Sequence, residues 1–129
     1  LRQVVFVTEQ SMMKLVDGGE FDVSKRTVAA TKLGEGDKVV SVMSVLEQRN
    51  IILQTKEGFF LRFPIEEIPE KKKGAVGVRG MKLGAKDKVE RVYYTQNGVE
   101  VSIEYKEKKI LLNNLKAAKR DTKGTKIRI

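Results

Sequence analysis

A run of three lysines followed by closely spaced glycines is the part of this sequence with the clearest chemistry. Residues 71–73 are all lysine, and Gly74, Gly77 and Gly80 follow them. Adjacent ammonium groups can contact successive phosphates of a nucleic acid, while glycines let backbone N–H groups approach those phosphates closely. The glycine spacing does not match G-x-G-x-x-G, and no helical pattern follows it. The run therefore predicts a loop that binds a phosphate backbone rather than a nucleotide.

Other basic residues recur along the chain and extend this loop into a predicted basic track. Arg62 lies between apolar Leu61 and Phe63, so on a strand its side chain would project to the face opposite theirs. Lys14 and Lys32 stand near the corresponding positions of an earlier, similar segment. The predicted phosphate-contacting residues are Lys14, Lys25, Arg26, Lys32, Arg62, Lys71, Lys72, Lys73, Gly74, Arg79, Lys82, Lys119, Arg120 and Lys123.

Composition excludes several kinds of catalytic site. The 129 residues include 26 Lys plus Arg against 17 Asp plus Glu, a formal net charge of +9, and no Cys or His. The absence of both types excludes disulfides, Cys/His zinc sites and His-dependent catalytic triads within this chain. No acidic cluster indicates a metal, and we expect no cofactor and no small-molecule substrate. A chain that is 40% apolar can bury a core, so the composition predicts a folded, basic, non-catalytic domain that binds a polyanion.

Some residue groups that resemble reactive or stacking sites have simpler explanations in packing. Phe59, Phe60 and Phe63 could stack on bases, but alternate apolar residues of a strand more often face a core. Residues 93–94, both tyrosine, lie in an apolar β-run and are expected to be structural. Residues 66–67, both glutamate, would point to opposite sides of an extended chain, which excludes paired acid–base catalysis.

The elements that must position the basic residues are predicted to be strands. Short β-branched or aromatic runs bounded by turn residues favour an all-β, antiparallel fold. The predicted strands are residues 4–8, 39–46, 51–55, 59–63, 89–95, 99–103 and 110–112. Hairpin turns are predicted at Gly58, at residues 106–108 and, in type I′ form, at residues 97–98 (Asn-Gly). Single helical turns are predicted at residues 64–68 and 113–117.

An internal repeat organises these strands. Residues 5–15 align with 52–62, residues 31–39 align with 81–89, and a third copy begins near residue 99. The predicted units are a first blade at 1–49, N-terminally incomplete, a second at 50–96 and a partial third at 97–129. A period near 50 residues with about four strands is typical of a propeller blade. The repeat predicts two to three propeller-like blades in an open arc.

Two segments of the repeat resemble a known family. The sequence GFFLRFP at 58–64 and the sequence KKKGAVGVRGMKL at 71–83 are similar to the C-terminal blade repeat of type IIA topoisomerase A subunits, those of DNA gyrase and topoisomerase IV. Gyrase A subunits carry a glutamine-arginine-arginine-glycine-glycine box, which residues 70–77 do not reproduce. This departure favours a topoisomerase IV domain or gyrase blades other than the one bearing the box, and it leaves the parent open.

The resemblance implies both a fold and a function. The fold is a β-pinwheel, a propeller variant whose blades exchange strands, with a basic rim that bends or wraps duplex DNA for the topoisomerase core. The implied partners are duplex DNA, the B subunit, and the remainder of the A subunit, while catalysis belongs to other parts of the enzyme.

The sequence also bears on the cellular location of the protein and on alternative binding functions. No apolar run approaches the ~18 residues of a membrane-spanning helix, and the start of the chain shows neither an initiator Met nor a signal peptide. We therefore expect a cytoplasmic, nucleoid-associated piece of a longer protein that does not contact membranes.

The residues alone leave two alternatives, a basic β-domain that binds structured RNA or the ribosome and a propeller-type module for an acidic protein partner.

Overall fold

The computed structural model describes residues 3–21 and 33–128, and strands make up most of its regular structure. The strands are β1 Gln3–Thr8, β2 Met12–Asp17, β3 Val39–Ser44, β4 Asn50–Thr55, β5 Phe59–Pro64, β6 Val78–Arg79, β7 Val89–Thr95, β8 Ser102–Tyr105, β9 Lys108–Leu111 and β10 Thr125–Lys126. Short 3₁₀ turns occur at Gly18–Phe21, Ile65–Glu67 and Leu112–Asn114. These ranges contain no α-helix, and the predicted all-β class is confirmed.

The strands form two antiparallel sheets of four strands and one hairpin. The sheet orders are β3-β1-β2-β6 and β7-β4-β5-β10, with β8 paired to β9. In each four-stranded sheet the fourth strand comes from further along the chain, because β6 pairs with β2 and β10 pairs with β5. Each blade thus takes its outer strand from the next repeat, which is the strand exchange that the resemblance implied.

The repeat is visible in the spacing of the strands. β1 and β4, β2 and β5, and β6 and β10 each begin 47 residues apart, whereas β3 and β7 begin 50 apart. The extra three residues fall between β5 and β7, and segments that connect strands tolerate insertions. The predicted unit boundaries after residues 49 and 96 fall between strands, and the division itself stays a prediction.

The main core lies between the two four-stranded sheets. Val5 faces Leu15 across β1 and β2, Leu53 faces Leu61 across β4 and β5, and all four side chains are buried in one cluster with Phe63. Full burial of a side chain such as that of Phe63 contributes about 1.5–3 kcal/mol. Apolar side chains at alternate positions of both sheets meet there, as the period-2 pattern predicts.

A second cluster packs the opposite face of the second sheet against the third unit. Ile52, Phe60 and Leu112 form it, and the Tyr105 ring meets that of Phe60 edge-to-face at 5.2 Å between ring centroids. The sheet formed by β4, β5, β7 and β10 is therefore buried on both faces, as expected for a blade between neighbours. The prediction that Phe60 and Phe63 are core residues is confirmed, and Phe59 is half-buried.

Most predicted turns are present, but one is wrong. Gly58 joins β4 to β5 with φ +94°, and Lys106 and Glu107 join β8 to β9 with φ of 50° and 67°. Asn97 and Gly98 form a turn that does not close a hairpin, because β7 pairs with β4 and β8 pairs with β9. Of these two residues only Gly98 has positive φ, whereas type I′ geometry requires it at both central positions.

Candidate nucleic-acid interface

Two loops with basic residues occupy equivalent places on the outer edges of successive sheets. The first, called here the 71–77 loop, leaves the β2 edge where the Lys71 N–H donates to the Leu15 carbonyl and returns where Val78 pairs with Met13. The second, the 118–124 loop, leaves the β5 edge 47 residues later, where the Ala118 N–H donates to the Arg62 carbonyl. Because seven residues span so short a stretch of edge, each loop must bow outward from its sheet.

A glycine closes each loop against the neighbouring strand. Gly77 has φ +103° and Gly124 has φ +78°. A Cβ at Gly77 would stand 2.5 Å from the Met13 carbonyl oxygen, and one at Gly124 would stand 2.5 Å from that of Phe60. Both the left-handed backbone and the close approach require glycine. The repeated glycine therefore has a structural function in bringing the loop back to the sheet edge.

The 71–77 loop is held from inside by Lys14. Its ammonium donates to the main-chain oxygens of Lys72 at 3.2 Å, Lys73 at 2.7 Å and Ala75 at 2.5 Å. These three bonds match the three donors of an ammonium group. The Lys14 side chain is only 1% exposed, and its Nζ lies 5.7 Å from the centre of the Phe6 ring. The buried cation fixes the loop backbone while the side chains of Lys71 and Lys72 stay exposed.

The predicted exposed basic track through Lys14 is therefore wrong. Strand register explains the error, because Arg62 pairs with Ile52 as Leu15 pairs with Val5, so Arg62 and Lys14 are not equivalent. Arg62 is half-buried, and its NH1 group donates to the carbonyls of Asn113 at 2.7 Å and Leu115 at 2.9 Å. Both side chains tie the main chain of a neighbouring unit rather than continue a surface row.

Four residues meet where the second and third units adjoin; we call them the junction cluster. They are Arg79, Lys82, Arg120 and Asp121. The Lys82 N–H donates to the Thr122 carbonyl, and the Asp121 N–H donates to that of Gly80, so the two segments run side by side. Arg79 binds the Asp121 carboxylate through Nε at 2.5 Å and NH2 at 3.3 Å.

Three positively charged side chains act on the Asp121 carboxylate. The hydrogen bond from Arg79 holds the pKa of Asp121 below its ordinary value, and the positive charges of Arg79, Lys82 and Arg120 act in the same direction. Arg120 is itself braced, since its Nε donates to the Glu67 carbonyl and its NH1 to the Arg79 carbonyl, at 2.9 and 2.8 Å. Sequence reasoning identified the three cations individually but missed Asp121, whose only signal was its place inside a basic segment.

The remaining predicted residues are distributed around these features. Lys119 and Lys123 are exposed on the 118–124 loop. The Lys123 ammonium lies 5.0 Å from the centre of the Phe59 ring, which also has Lys126 at 5.9 Å. Lys25, Arg26 and Lys32 lie outside the described residues, so their contact with a phosphate backbone stays a prediction. Gly74 is exposed, and a Cβ there would meet nothing within 4 Å.

Metal binding and membrane crossing are the other functions on which the described residues bear. Over the ranges 3–21 and 33–128, no group of three or more Asp or Glu side chains is placed to hold a metal ion. Within the same part of the chain, no helix has the length and apolar character needed to cross a membrane.

Comparison with solved structures shows the same fold. The chain superposes on the C-terminal domain of DNA topoisomerase IV with a TM-score of 0.88 and 23% identity, covering 98% of this chain and 41% of that one. For the DNA gyrase A C-terminal domain the TM-score is 0.80 with 22% identity, covering 96% and 42%. At these identities the likeness concerns the fold, a β-propeller built of strand-exchanging blades.

Sequence comparison identifies the family. The DNA gyrase A subunit of Lawsonia intracellularis is 35% identical over 86 residues, 66% of this chain and 10% of the relative. Its counterpart from Helicobacter pylori is 31% identical over 88 residues, 67% of this chain and 11% of the relative. The chain thus spans about a tenth of the length of these relatives. The family model described as DNA gyrase C-terminal domain, beta-propeller, matches residues 2–45 and 49–96, and the chain belongs to that family.

Proposed function

We propose that this chain is a non-catalytic, duplex DNA-binding domain that bends or wraps DNA and presents it to the core of a type IIA topoisomerase. The observation that carries the proposal is the pair of basic loops at equivalent edges of successive sheets, 47 residues apart in sequence. Family membership supports the same role. The proposed protein partners are the topoisomerase B subunit, together with the remainder of the A subunit, in the cytoplasm at the nucleoid.

The geometry supports binding through phosphates with little sequence preference. Bending a duplex over a site of 20–30 base pairs costs roughly 1–6 kcal/mol, so a protein that bends DNA needs many distributed contacts. The 71–77 loop offers Lys71 and Lys72 as exposed point charges on a backbone fixed from inside by Lys14. The 118–124 loop places further cations at the corresponding edge of the next sheet, where Arg79 of β6 contacts it. Repetition of such loops from blade to blade would provide a curved series of phosphate contacts.

Affinity for duplexes of increasing length, measured across a salt series, tests this function. We expect binding to tighten from about one helical turn, ~10 base pairs, to several turns, and log K to fall linearly with log salt by about 0.9 per neutralised phosphate. Double-stranded RNA of equal length should compete poorly. Binding that saturates on a short duplex, with RNA competing equally, would overturn the wrapping proposal in favour of a basic module for structured RNA.

A matched pair of variants assigns the binding to the 71–77 loop. The double substitution Lys71→Gln and Lys72→Gln should lower the salt slope by about 1.8, since two phosphate contacts are lost. The control, Lys38→Gln with Lys86→Gln, removes the same charge from exposed positions outside both loops. Equal losses from the two variants would show that net charge alone, rather than the loop, drives binding.

A further inference from the structure

Asp121 stands at a position where its repeat equivalent has no side chain. Gly74 lies 47 residues earlier, at the same place in the 71–77 loop, whereas Asp121 adopts φ +65° in the 118–124 loop. A non-glycine residue in this left-handed region is uncommon, although Asp and Asn tolerate it better than other types. Gly74 itself is outside this region, so the positive φ is specific to Asp121, whose carboxylate faces Arg79. The two loops therefore differ here in backbone conformation and in one acidic group.

The contact between Arg79 and Asp121 has the geometry that an arginine uses for a phosphate. Nε and NH2 of Arg79 each approach a different carboxylate oxygen, which is the paired arrangement with which guanidinium groups bind carboxylate and phosphate alike. The pair is open to solvent, with 54% of the Arg79 side chain and 37% of the Asp121 side chain exposed. An outside anion can therefore reach the guanidinium.

The surrounding charge favours a stronger anion than one carboxylate. Arg79, Lys82 and Arg120 supply three positive charges around the single negative charge of Asp121. Arg120 directs Nε and NH1 at main-chain carbonyls, so it acts as a fixed cation at the site rather than as a mobile side chain. A phosphate that replaced the carboxylate would keep the paired contact with Arg79 and would meet the same field.

We propose that Arg79, Lys82 and Arg120 form a phosphate-binding site that Asp121 occupies when DNA is absent, so that Asp121 and a DNA phosphate compete for Arg79. This inference rests on the proposed function and specifies one of its contacts. Because a phosphate at Arg79 must displace the carboxylate of Asp121, this contact contributes less to the DNA affinity than a contact with a cation that has no anion partner. A duplex accordingly gains more affinity from the exposed lysines of the 71–77 loop than from the junction cluster.

Asp121→Asn tests the competition directly, because Asn keeps the side-chain shape and tolerates the same backbone conformation. The probe is a duplex long enough to show maximal affinity for the unmodified chain. We expect about a tenfold gain in affinity at low salt, the scale of one charge-assisted contact, and a salt slope steeper by about 0.9. The control, Glu100→Gln, removes one exposed negative charge outside the cluster and should change affinity less than about twofold.

The same substitutions in a chain that carries Arg79→Gln separate competition at Arg79 from a general effect of charge. In chains that already carry Arg79→Gln, Asp121→Asn should give no more than the gain of Glu100→Gln. If Asp121→Asn reduces folding, Asp121→Gly takes its place, since glycine adopts the positive φ of this position without strain. Asp121 variants that match Glu100→Gln, or that bind more weakly, overturn the inference while leaving DNA binding intact. Failure of the unmodified chain in the length and salt series would instead overturn the proposed function.

Discussion

The 71–77 loop and the 118–124 loop leave and rejoin the sheet edge in the same way but are held in opposite ways. Both begin with an N–H donated to the β2 or β5 edge, and both end at a left-handed glycine, Gly77 or Gly124. The first is fixed from inside by the buried ammonium of Lys14. The second has Leu61 at the position equivalent to Lys14. Its own residues Arg120 and Asp121 hold it through hydrogen bonds to Glu67 and Arg79, which lie outside the loop.

This difference shows that the end points of the loop and its charge are set by separate residues. The sheet edge and the glycine determine where the loop begins and ends, and they are common to both units. The brace determines how much positive charge is left for a partner. An internal brace uses only main-chain carbonyls, so Lys71 and Lys72 are outside the two ion pairs found among the described residues. The external brace of the 118–124 loop includes the carboxylate of Asp121, which lowers the positive charge that Lys119 and Lys123 give to that loop.

Removing the internal brace should have the largest effect. Lys14→Met keeps the apolar stem but leaves the oxygens of Lys72, Lys73 and Ala75 without their donor. We expect the free energy of unfolding to fall by about 3 kcal/mol, since bonds to a charged donor contribute about 1.5–3 kcal/mol each and are not additive. Urea unfolding followed by circular dichroism measures the loss.

The matched control for that variant lies in the other loop. Lys119→Met removes an exposed lysine and should change stability by no more than about 0.5 kcal/mol. If both variants were equally stable, the ammonium of Lys14 would not be the brace, and the contrast between the loops would disappear.

Substitution of the closing glycines should show what the loops share. Gly77→Ala and Gly124→Ala each force a Cβ against a backbone carbonyl at a positive φ. We expect losses of about 2 kcal/mol for each, within about 1 kcal/mol of one another. Gly74→Ala is the control, because its Cβ meets nothing within 4 Å, and it should be neutral or stabilising by about 0.5 kcal/mol. Unequal losses at the two closing glycines would indicate that the shared path is maintained by different contacts.

The fold could be predicted from local pattern, whereas the two braces could not. Short β-branched or aromatic runs and the repeat identified most strands of the blades, because both are properties of the local sequence. Strand β2 was absent from the predicted strands, and the predicted strand 99–103 begins only at Ser102. The short strands β6 and β10 were missed as well, since two residues carry no periodicity and their pairing is set by the neighbouring repeat. The turn at residues 97–98 was wrong because Asn-Gly permits a hairpin without determining which strands pair.

Prediction of the site failed for a related reason. A lysine in an apolar strand is expected at the surface, since burial of an unpaired charge is costly. Lys14 is buried because the loop from the next repeat brings three carbonyls to its ammonium, a long-range event with no local signal. The exposed cations at 71, 72, 119 and 123 are where sequence placed them, and their contact with DNA stays a prediction.

Replacing one equivalent lysine in each loop should lower the affinity for DNA by different amounts. Lys72 and Lys119 are 47 residues apart and both exposed, so Lys72→Gln and Lys119→Gln should leave stability unchanged. We expect about a fivefold loss for Lys72→Gln with a salt slope lower by about 0.9. Lys119→Gln should cost about twofold, because the carboxylate of Asp121 already weakens the field of its loop. Identical losses measured on one duplex would remove the electrostatic distinction between the loops.

A smaller effect than that of Lys72→Gln is expected from adding a carboxylate to the 71–77 loop instead of removing a lysine. Gly74→Asp places an acidic side chain at the position equivalent to Asp121, in a space that is open to at least 4 Å around the new Cβ. Gly74→Asn has the same shape without the charge and serves as the control. Relative to Asn, Asp should weaken binding by about threefold and flatten the salt dependence, because it screens the neighbouring lysines. If the two variants bind alike while Asp121→Asn binds more tightly than the unmodified chain, then the carboxylate matters only through its contact with Arg79, and competition at that guanidinium, rather than net charge, distinguishes the two loops.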